Sequence, residues 1–252
     1  MNKLLFILLL LSVAFLLSCT SIERDSVCDE KSIYYNGCVG SIPPSPPVTY
    51  EGETYKTVKI GTQTWMARNL NYAALGSKCG GDDYKLKDEN TSFCDAYGRL
   101  YNWATAMALP EECNTDFFSC TSQIKAKHQG ICPSGWHIPN NDDWGKLVNY
   151  VESKNDCNFC AAKYLKATSG WNDYQGKSGN GENTFEFSAL PGGHGNPDGN
   201  FSTVGYDGSW WSATENIGNY AFNLNMSYDE SFTGSAVSFN KTSLFSVRCV
   251  KD

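Results

Sequence analysis

The chain has 252 residues, with 20 Lys and Arg against 27 Asp and Glu, which gives a formal net charge of −7. This acidic balance, without a run of basic residues, argues against nucleic acid or an anionic lipid surface as the main partner. Setting Cys19 aside leaves 10 of the 11 cysteines, an even number that favours a disulfide-bonded exported protein over a metal-binding or redox protein.

The chain begins with an apolar segment, and residues 1–18 are predicted to be a signal peptide. The apolar run is shorter than the roughly 20 residues that span a bilayer. Its ending, Leu16-Leu17-Ser18-Cys19, resembles a bacterial lipobox, which implies that Cys19 is lipidated and anchors the protein to a membrane. An ordinary cleaved signal with a chance cysteine is the alternative. Because Thr20 follows instead of an aspartate, we expect an outer-membrane location in the cell envelope, facing either the periplasm or the cell surface.

Residues 19–48 are predicted to be a lipidated N-terminus followed by a spacer. Cys28 and Cys38 bracket a short polar segment and are expected to close a small loop. The segment IPPSPPV at residues 42–48 favours stiff polyproline II structure, which would hold a domain away from the membrane.

Residues 49–252 are predicted to form one globular α+β domain. YKTVKIGTQTWM alternates like a β-hairpin that turns near Gly61. Helical spacing predicts one helix in CDAYGRLYNWATAMALP and a second in NNDDWGKLVNYV, capped by Asn141 or Asp142, with a shorter helix through AAKYLKA. Short strands are expected at YAFNLNM, SAVSFN and FSVRCV.

Several motifs together resemble one family. CPSGWHIP before a capped helix, FSALPGG, GSWWSATEN and the final SVRCVKD are similar to the Fibrobacter succinogenes major paralogous domain, and so are TVKIGTQTWMARNLNY and DAYGRLYNWATAM. The resemblance covers residues 54–252, with departures at Arg68 and His194. It implies a C-type-lectin-like fold, in which two main helices pack on a small twisted antiparallel sheet with long irregular loops. It brings no established activity.

The C-type-lectin-like resemblance also implies a disulfide between Cys132 and Cys249, and a structural, partly buried role for His137, with a ligand contact as its alternative. Proximity along the chain suggests the remaining pairs, although many pairings stay open: Cys79 with Cys94, Cys113 with Cys120, Cys157 with Cys160, and Cys28 with Cys38. Cys157 and Cys160 have the spacing of redox-active dithiols. No thioredoxin-like βαβ pattern surrounds them, so a local structural disulfide is favoured.

The glycine-rich segment LPGGHGNPDGNFSTVGYDGSWW is the predicted binding surface, because glycines allow close approach and polar and aromatic side chains offer contacts. Its candidate ligand-binding residues are His194, Asn196, Asp198, Tyr206, Asp207, Trp210 and Trp211. Adjacent residues of a strand point to opposite faces, so one tryptophan is expected in the core and the other is a candidate for exposure to solvent. The alternative is that both are covered.

The sequence contains no clear motif for an enzyme or a metal site, and we predict no catalytic residue, metal ligand or cofactor. Neither G-x-S-x-G nor H-E-x-x-H occurs, and the conceivable hydrolase pairs are Glu182 with Glu186 and Asp207 with Glu215. Trp171-Asn172-Asp173 resembles the calcium tripeptide of lectins, but its partner motif is absent, so a turn with a packed tryptophan is favoured.

The sequence therefore predicts a non-catalytic, lipid-anchored envelope protein that displays a binding domain for an extracellular polysaccharide or protein. The alternatives are a structural envelope component without a small ligand and, more distantly, a glycan hydrolase.

Overall fold

The computed structural model describes residues 45–81, 91–115, 120–196, 200–230 and 233–252. All described residues lie in one compact unit, Pro44–Asp252. The predictions for the signal peptide, Cys19 and the Cys28–Cys38 loop fall outside the described residues. Within the described part of the chain, no helix is long and apolar enough to cross a membrane.

The domain is of mixed α+β class, with mostly strands and few helices. The strands are β1 (Val48–Tyr50), β2 (Glu53–Tyr55), β3 (Thr57–Ile60), β4 (Gln63–Met66), β5 (Leu100–Tyr101), β6 (Trp136–His137), β7 (His194–Gly195), β8 (Phe201–Ser202), β9 (Asp207–Glu215), β10 (Tyr220–Ser227), β11 (Thr233–Asn240), β12 (Phe245–Ser246) and β13 (Val250–Lys251). The α-helices are α1 (Thr91–Tyr97), α2 (Trp103–Ala106), α3 (Asn141–Lys154) and α4 (Ala161–Leu165). Short 3-10 turns cover Glu111–Asn114 and Thr121–Gln123.

The described strands form two larger sheets and two small ribbons. A five-stranded sheet has the order β11-β10-β9-β12-β5, and a four-stranded sheet has the order β3-β4-β13-β6. The ribbons are β1-β2 and β7-β8. Pairing is antiparallel except between β12 and β9, which run parallel where Ser246 lies opposite Trp210. The sequence predicted a single antiparallel sheet, whereas the structure has two larger sheets, and one strand pair in them is parallel.

Strand β9 separates two apolar clusters. Trp211 packs in one cluster against Phe245, with ring centroids 4.4 Å apart, and its indole N–H donates to the Tyr101 carbonyl at 2.7 Å. Trp210 lies in the other cluster with Trp144 of α3. The prediction of opposite faces is confirmed. Of the two alternatives for their exposure, the structure supports the one in which both tryptophans are covered, because both are 0% exposed.

The first predicted helix is interrupted at Gly98. Helix α1 ends at Tyr97, and Gly98 adopts a φ of 78°, in the left-handed region that glycine tolerates. A Cβ atom there would lie 2.8 Å from the Leu70 carbonyl oxygen. The chain then forms β5, and Asn102 caps α2 by accepting from the Thr105 N–H. The sequence predicted two main helices, whereas the structure has one 14-residue helix, α3, and three shorter helices.

The N-cap of helix α3 lies one or two residues earlier than predicted. Its N-cap is Asn140, whose side chain accepts from the Asp143 N–H, while the Asp143 carboxylate accepts from the Asn140 N–H. This reciprocal capping box satisfies two backbone donors and replaces the predicted caps at Asn141 or Asp142. The predicted hairpin is confirmed as β3 and β4, and the short helix as α4.

Four predicted disulfides are confirmed within the described residues: Cys79–Cys94, Cys113–Cys120, Cys132–Cys249 and Cys157–Cys160. Cys132–Cys249 spans 117 residues and ties the segment before β6 to the segment before β13. On the chain-entropy model, a crosslink of this length stabilises the fold by about 4–5 kcal/mol.

Candidate functional site

A buried polar network fixes the segment that leads into the glycine-rich region. Arg248 is fully buried, and its guanidinium donates to the carbonyl oxygens of Met66, Phe187 and Ser188 at 3.1, 2.6 and 3.3 Å. It also donates twice to Asn69 Oδ1, and it lies 4.5 Å from the Phe187 ring centroid. Burial, followed by the nearby charge of Arg68, lowers the pKa of Arg248 to about 9. Arg248 thereby joins the four-stranded sheet to residues 187–188.

The predicted binding segment divides into two parts. His194 contacts the Thr203 and Ser202 hydroxyls at 3.1 Å each, and its ring lies edge-on to Phe245 at 5.9 Å. The Asn196 N–H donates to the Asn200 carbonyl at 2.7 Å and closes the β7–β8 turn. Asp198 lies outside the described residues. His194 and Asn196 therefore stabilise this ribbon through their own contacts.

Three tyrosines form an aromatic row at the other end of the segment, and we call Tyr174, Tyr228 and Tyr206 the tyrosine row. Adjacent ring centroids are 5.5 Å and 5.0 Å apart, and both pairs meet edge to face at 85°. Tyr174 is 39% exposed and Tyr206 is 40% exposed. The tyrosine row is thus a preformed aromatic surface open to solvent.

A groove of about 460 Å³ lies beside the tyrosine row and is lined in part by Tyr174 and Tyr228; we call it the tyrosine groove. It lies between the end of α4, the segment 174–180 and the turn 228–230 that follows β10. Its charged lining residues are Lys163, Lys166, Lys177, Asp229 and Glu230. The groove therefore combines aromatic rings with hydrogen-bonding groups of both signs.

A tight turn places Tyr174 and Lys177 side by side. The two residues exchange backbone hydrogen bonds of 2.8 and 2.9 Å. Gln175 and Gly176 between them have φ values of 48° and 74°, as in a type I′ hairpin turn. Because directly opposed residues of an antiparallel pair project to the same side, the tyrosine ring and the lysine reach the groove together.

Lys166 holds the side of the groove formed by the turn 228–230. Its side chain is buried, and its ammonium donates to the carbonyl oxygens of Ser227 and Glu230 at 2.9 and 3.1 Å. It also lies 4.8 Å from the Trp171 ring centroid. Burial lowers the pKa of Lys166 to about 8, although Asp229 and Glu230 oppose the shift. Lys166 therefore shapes the turn that carries Tyr228.

Carboxylates gather at the same turn. Burial raises the pKa of Asp207, although hydrogen bonds from Ser227 and Thr203 act in the opposite direction. Burial also raises the pKa of Glu230, and the charges of Asp229 and Asp207 add to that rise. Asp207, Asp229 and Glu230 are therefore close enough for their charges to interact, and Asp229 and Glu230 line the groove.

The segment Trp171-Asn172-Asp173 has a packing role. The Trp171 indole is buried and donates to the Ala189 carbonyl at 3.0 Å. The Asn172 N–H donates to the Gly205 carbonyl at 2.8 Å, and a Cβ at Gly179 would lie 2.1 Å from the Asn172 oxygen. These contacts hold the tyrosine-bearing loops together, as expected for a turn with a packed tryptophan. Within the described ranges, no cluster of three or more His, Cys, Asp or Glu is placed to hold a metal.

The first conceivable hydrolase pair, Asp207 and Glu215, does not come together. Asp207 and Glu215 lie at the two ends of the nine-residue strand β9. At about 3.3 Å per residue, they are roughly 26 Å apart, far beyond the about 9.5 Å limit for paired glycosidase carboxylates. Glu215 instead forms a buried ion pair with Lys241 at 2.6 Å.

The other pair, Glu182 and Glu186, is engaged in separate surface ion pairs. Glu182 contacts Lys163 at 3.1 Å, and Glu186 contacts Lys56 at 2.5 Å. Each carboxylate is therefore neutralised by its own lysine partner at the surface.

His137 is a structural histidine, as predicted. It is 2% exposed, and its ring nitrogens contact Asp252 at 2.7 Å and Asp143 at 3.2 Å. Burial opposes ionisation of Asp143, but the hydrogen bonds from His137 and from the Asn140 N–H leave its pKa below the ordinary value. The histidine thus joins the end of β13 to the first turn of α3.

Sequence reasoning missed most of the site. Of the predicted binding residues, only Tyr206 and Asp207 lie at the tyrosine row, whereas Trp210 and Trp211 are core residues. Tyr174, Tyr228 and Lys166 were not predicted. The local signal for Tyr174 is the Gln175-Gly176 turn, which a scan for I′ hairpins would identify.

Comparison with known proteins gives one family and no individual relative. Neither a curated protein nor a solved structure matches this chain. The family model of the Fibrobacter succinogenes major domain matches residues 58–251. This range includes the five-stranded sheet, all but Thr57 of the four-stranded sheet, the buried Arg248 network and the tyrosine row. The chain therefore belongs to the Fibrobacter succinogenes major domain family.

Proposed function

We propose that this protein is a non-catalytic envelope protein whose domain binds an extracellular glycan at the tyrosine groove. The observation that carries the proposal is the tyrosine row beside an open groove. Aromatic rings are rigid, apolar surfaces that lose little conformational entropy on binding. The C–H faces of a sugar ring fit such surfaces, while its hydroxyl groups require polar partners at the edge.

The size and lining of the groove support this ligand class. Small-molecule sites commonly measure about 300–1,000 Å³ and place a few polar groups against aromatic walls. The tyrosine groove, at about 460 Å³, is within that range and offers Asn180, Lys177 and Asp229 beside its rings. We therefore expect one or two sugar units to occupy it, without a requirement for calcium.

The proposal includes a C-type-lectin-like fold and a lipid anchor at Cys19. The fold is supported by the Cys132–Cys249 disulfide, which joins an internal segment to the last strand region. The anchor is supported by the lipobox-like Leu16-Leu17-Ser18-Cys19 and by the proline-rich spacer that follows. Together these features would display the groove at an outer-membrane surface.

A glycan panel tests the proposal. The oxidised protein is measured against soluble and insoluble polysaccharides, with calcium and again with a chelator. We expect binding that the chelator leaves unchanged and that Tyr228→Ala reduces at least tenfold. Tyr220→Ala is the matched control, since Tyr220 is 46% exposed at the other end of β10. An equal loss of glycan binding in both variants would contradict a site at the tyrosine groove. Loss of binding in the presence of the chelator would indicate a calcium-dependent site instead.

A protein ligand is the second candidate, and strand β11 favours it. This strand lies at the edge of the five-stranded sheet, and Val237 and Phe239 on it are 43% and 38% exposed. Its eight residues include no charged side chain and no proline, the features that commonly block edge pairing. If no glycan binds, this edge becomes the leading contact surface, and a purely structural envelope role is the remaining alternative.

A further inference from the structure

We propose that the Cys157–Cys160 disulfide is a thiol–disulfide exchange site that an external dithiol opens while the other described disulfides stay closed. This goes beyond glycan binding and is independent of it. The inference rests on the partial exposure of the two cysteine residues, the size of the closed loop, the backbone conformation and the surroundings of the pair.

Solvent access distinguishes this pair. The cysteines of the other three described disulfides are all at most 5% exposed: Cys79, Cys94, Cys113, Cys120, Cys132 and Cys249. Cys157 and Cys160 are both partly exposed, on the surface loop between α3 and α4. Exchange requires a thiolate to reach a sulfur atom directly. Among these four disulfides, Cys157–Cys160 is the one whose residues are partly exposed in the folded state, so we expect it to react first.

The closed loop is small and its backbone is strained. Cys157 and Cys160 are separated by three positions, compared with 117 for Cys132 and Cys249. A crosslink that closes a short loop stabilises the folded state least, because it removes little chain entropy from the unfolded state. Within the loop, Phe159 has a φ of 57°, a left-handed conformation that is rare for a bulky residue. The disulfide therefore adds little stability to a backbone that is already unfavourable at this position.

Hydrogen bonds hold the loop ends without the disulfide. The Cys157 N–H donates to the Glu152 carbonyl at 3.2 Å, and the Cys160 N–H donates to Glu152 Oε1 at 3.2 Å. The Cys160 carbonyl accepts from the Lys163 N–H at 3.1 Å at the start of α4. The reduced thiols therefore stay close together, the domain stays folded, and the bond can form again.

The loop also presents a contact for a partner. Phe159 lies between the two cysteines and is 76% exposed, which leaves a large apolar side chain beside the reactive sulfurs. A protein that carries an exposed dithiol in an apolar surface matches this arrangement. Phe159 would then be a recognition residue for that partner.

The exchange balances without another reactant. A thiolate of the external dithiol attacks one sulfur of Cys157–Cys160, forming a mixed disulfide and releasing the other cysteine as a thiolate. The second thiol of the partner, as its thiolate, then displaces the bound cysteine and closes the partner's own disulfide. Two electrons and two protons pass from the partner dithiol to Cys157 and Cys160, and the reverse sequence reoxidises them.

Timed reduction tests the proposal. The folded, oxidised protein is exposed to graded dithiothreitol, free thiols are trapped with N-ethylmaleimide, and labelled peptides are located by mass spectrometry. We expect Cys157 and Cys160 to be labelled at least tenfold faster than Cys132 and Cys249, with unchanged circular dichroism. In the denatured control this difference should disappear. Labelling of all pairs at one rate in the folded state, or only together with unfolding, would overturn the proposal.

A second experiment separates an exchange site from a merely fragile bond. After selective reduction, the pair is returned to a mixture of reduced and oxidised glutathione, where we expect complete and reversible closure. Phe159→Ala should slow reduction by a thioredoxin-type dithiol protein at least threefold while leaving the rate with dithiothreitol unchanged. The proposal would be overturned if the pair failed to close again. It would also be overturned if Phe159→Ala were reduced by the dithiol protein as fast as the wild type is.

Discussion

Substitution of Asn69 by alanine should remove the main polar connection between the two sheets. Asn69 Oδ1 accepts from Arg248 Nε at 3.1 Å, from Arg248 Nη2 at 2.7 Å and from the Trp210 indole at 2.8 Å. Its amide nitrogen donates to the Tyr97 carbonyl at 2.8 Å and to the Ser246 hydroxyl at 3.2 Å. Among the described residues no carboxylate contacts Arg248, so Asn69→Ala leaves a buried cation without its side-chain acceptor.

The expected loss follows from these contacts. Buried hydrogen bonds to a charged group contribute about 1.5–3 kcal/mol each and neutral ones about 1 kcal/mol. Allowing for relaxation, Asn69→Ala should destabilise the domain by about 4 kcal/mol, or about 8–16 °C in melting temperature for a domain of this size. Urea unfolding of the oxidised protein, followed by circular dichroism, measures the change.

Two variants complete the test at Asn69. Asn69→Asp keeps an oxygen acceptor and pairs its charge with Arg248, so it should recover at least half of the loss. Asn149→Ala, at an exposed position of α3, should change stability by less than about 0.5 kcal/mol. A loss below about 1 kcal/mol in Asn69→Ala would refute the role of this network.

Three further predictions concern separate parts of the domain. Asp143→Asn should be less stable than the wild type at pH 7, because a carboxylate whose pKa is lowered on folding stabilises the folded state at pH values above its unfolded-state pKa. The difference in stability should disappear as the pH falls below the ordinary pKa of 3.8 and through the lower pKa of the folded state, which unfolding curves across pH would measure. Trp211→Ala should cost about 3–5 kcal/mol by thermal unfolding because the side chain is core, and a surface-like cost below about 1 kcal/mol would contradict that placement. Gly179→Ala places a Cβ 2.1 Å from the Asn172 oxygen, so it should lower both melting temperature and glycan binding, and an unchanged protein in both assays would argue against the packing of these loops.

The sequence predicted features that depend on neighbouring residues or on a strong family pattern. The hairpin around Gly61, helix α4 and the local disulfides are local features, while Cys132–Cys249 came from the resemblance to a known fold. The first helix was predicted wrongly because helical spacing continues through Gly98, where the close Leu70 carbonyl leaves no room for a side chain. That contact is not visible in local spacing.

The tyrosine row could not be predicted for a similar reason. Tyr174, Tyr206 and Tyr228 come from three separate loops, and only the packing of those loops brings the rings within 5.5 Å. The adjacent tryptophans misled the interpretation, since alternation along β9 correctly separates their faces but does not reveal that both faces are covered. Exposure depends on the second layer of structure, which a strand pattern does not contain.

The most direct test of the central claim is a glycan-binding titration of the wild type, Tyr228→Ala and Tyr220→Ala on one preparation of oxidised protein. The account predicts that the wild type and Tyr220→Ala bind with equal affinity, and that Tyr228→Ala binds at least tenfold more weakly while its melting temperature stays within a few degrees. Undiminished binding by folded Tyr228→Ala would contradict a glycan site at the tyrosine groove.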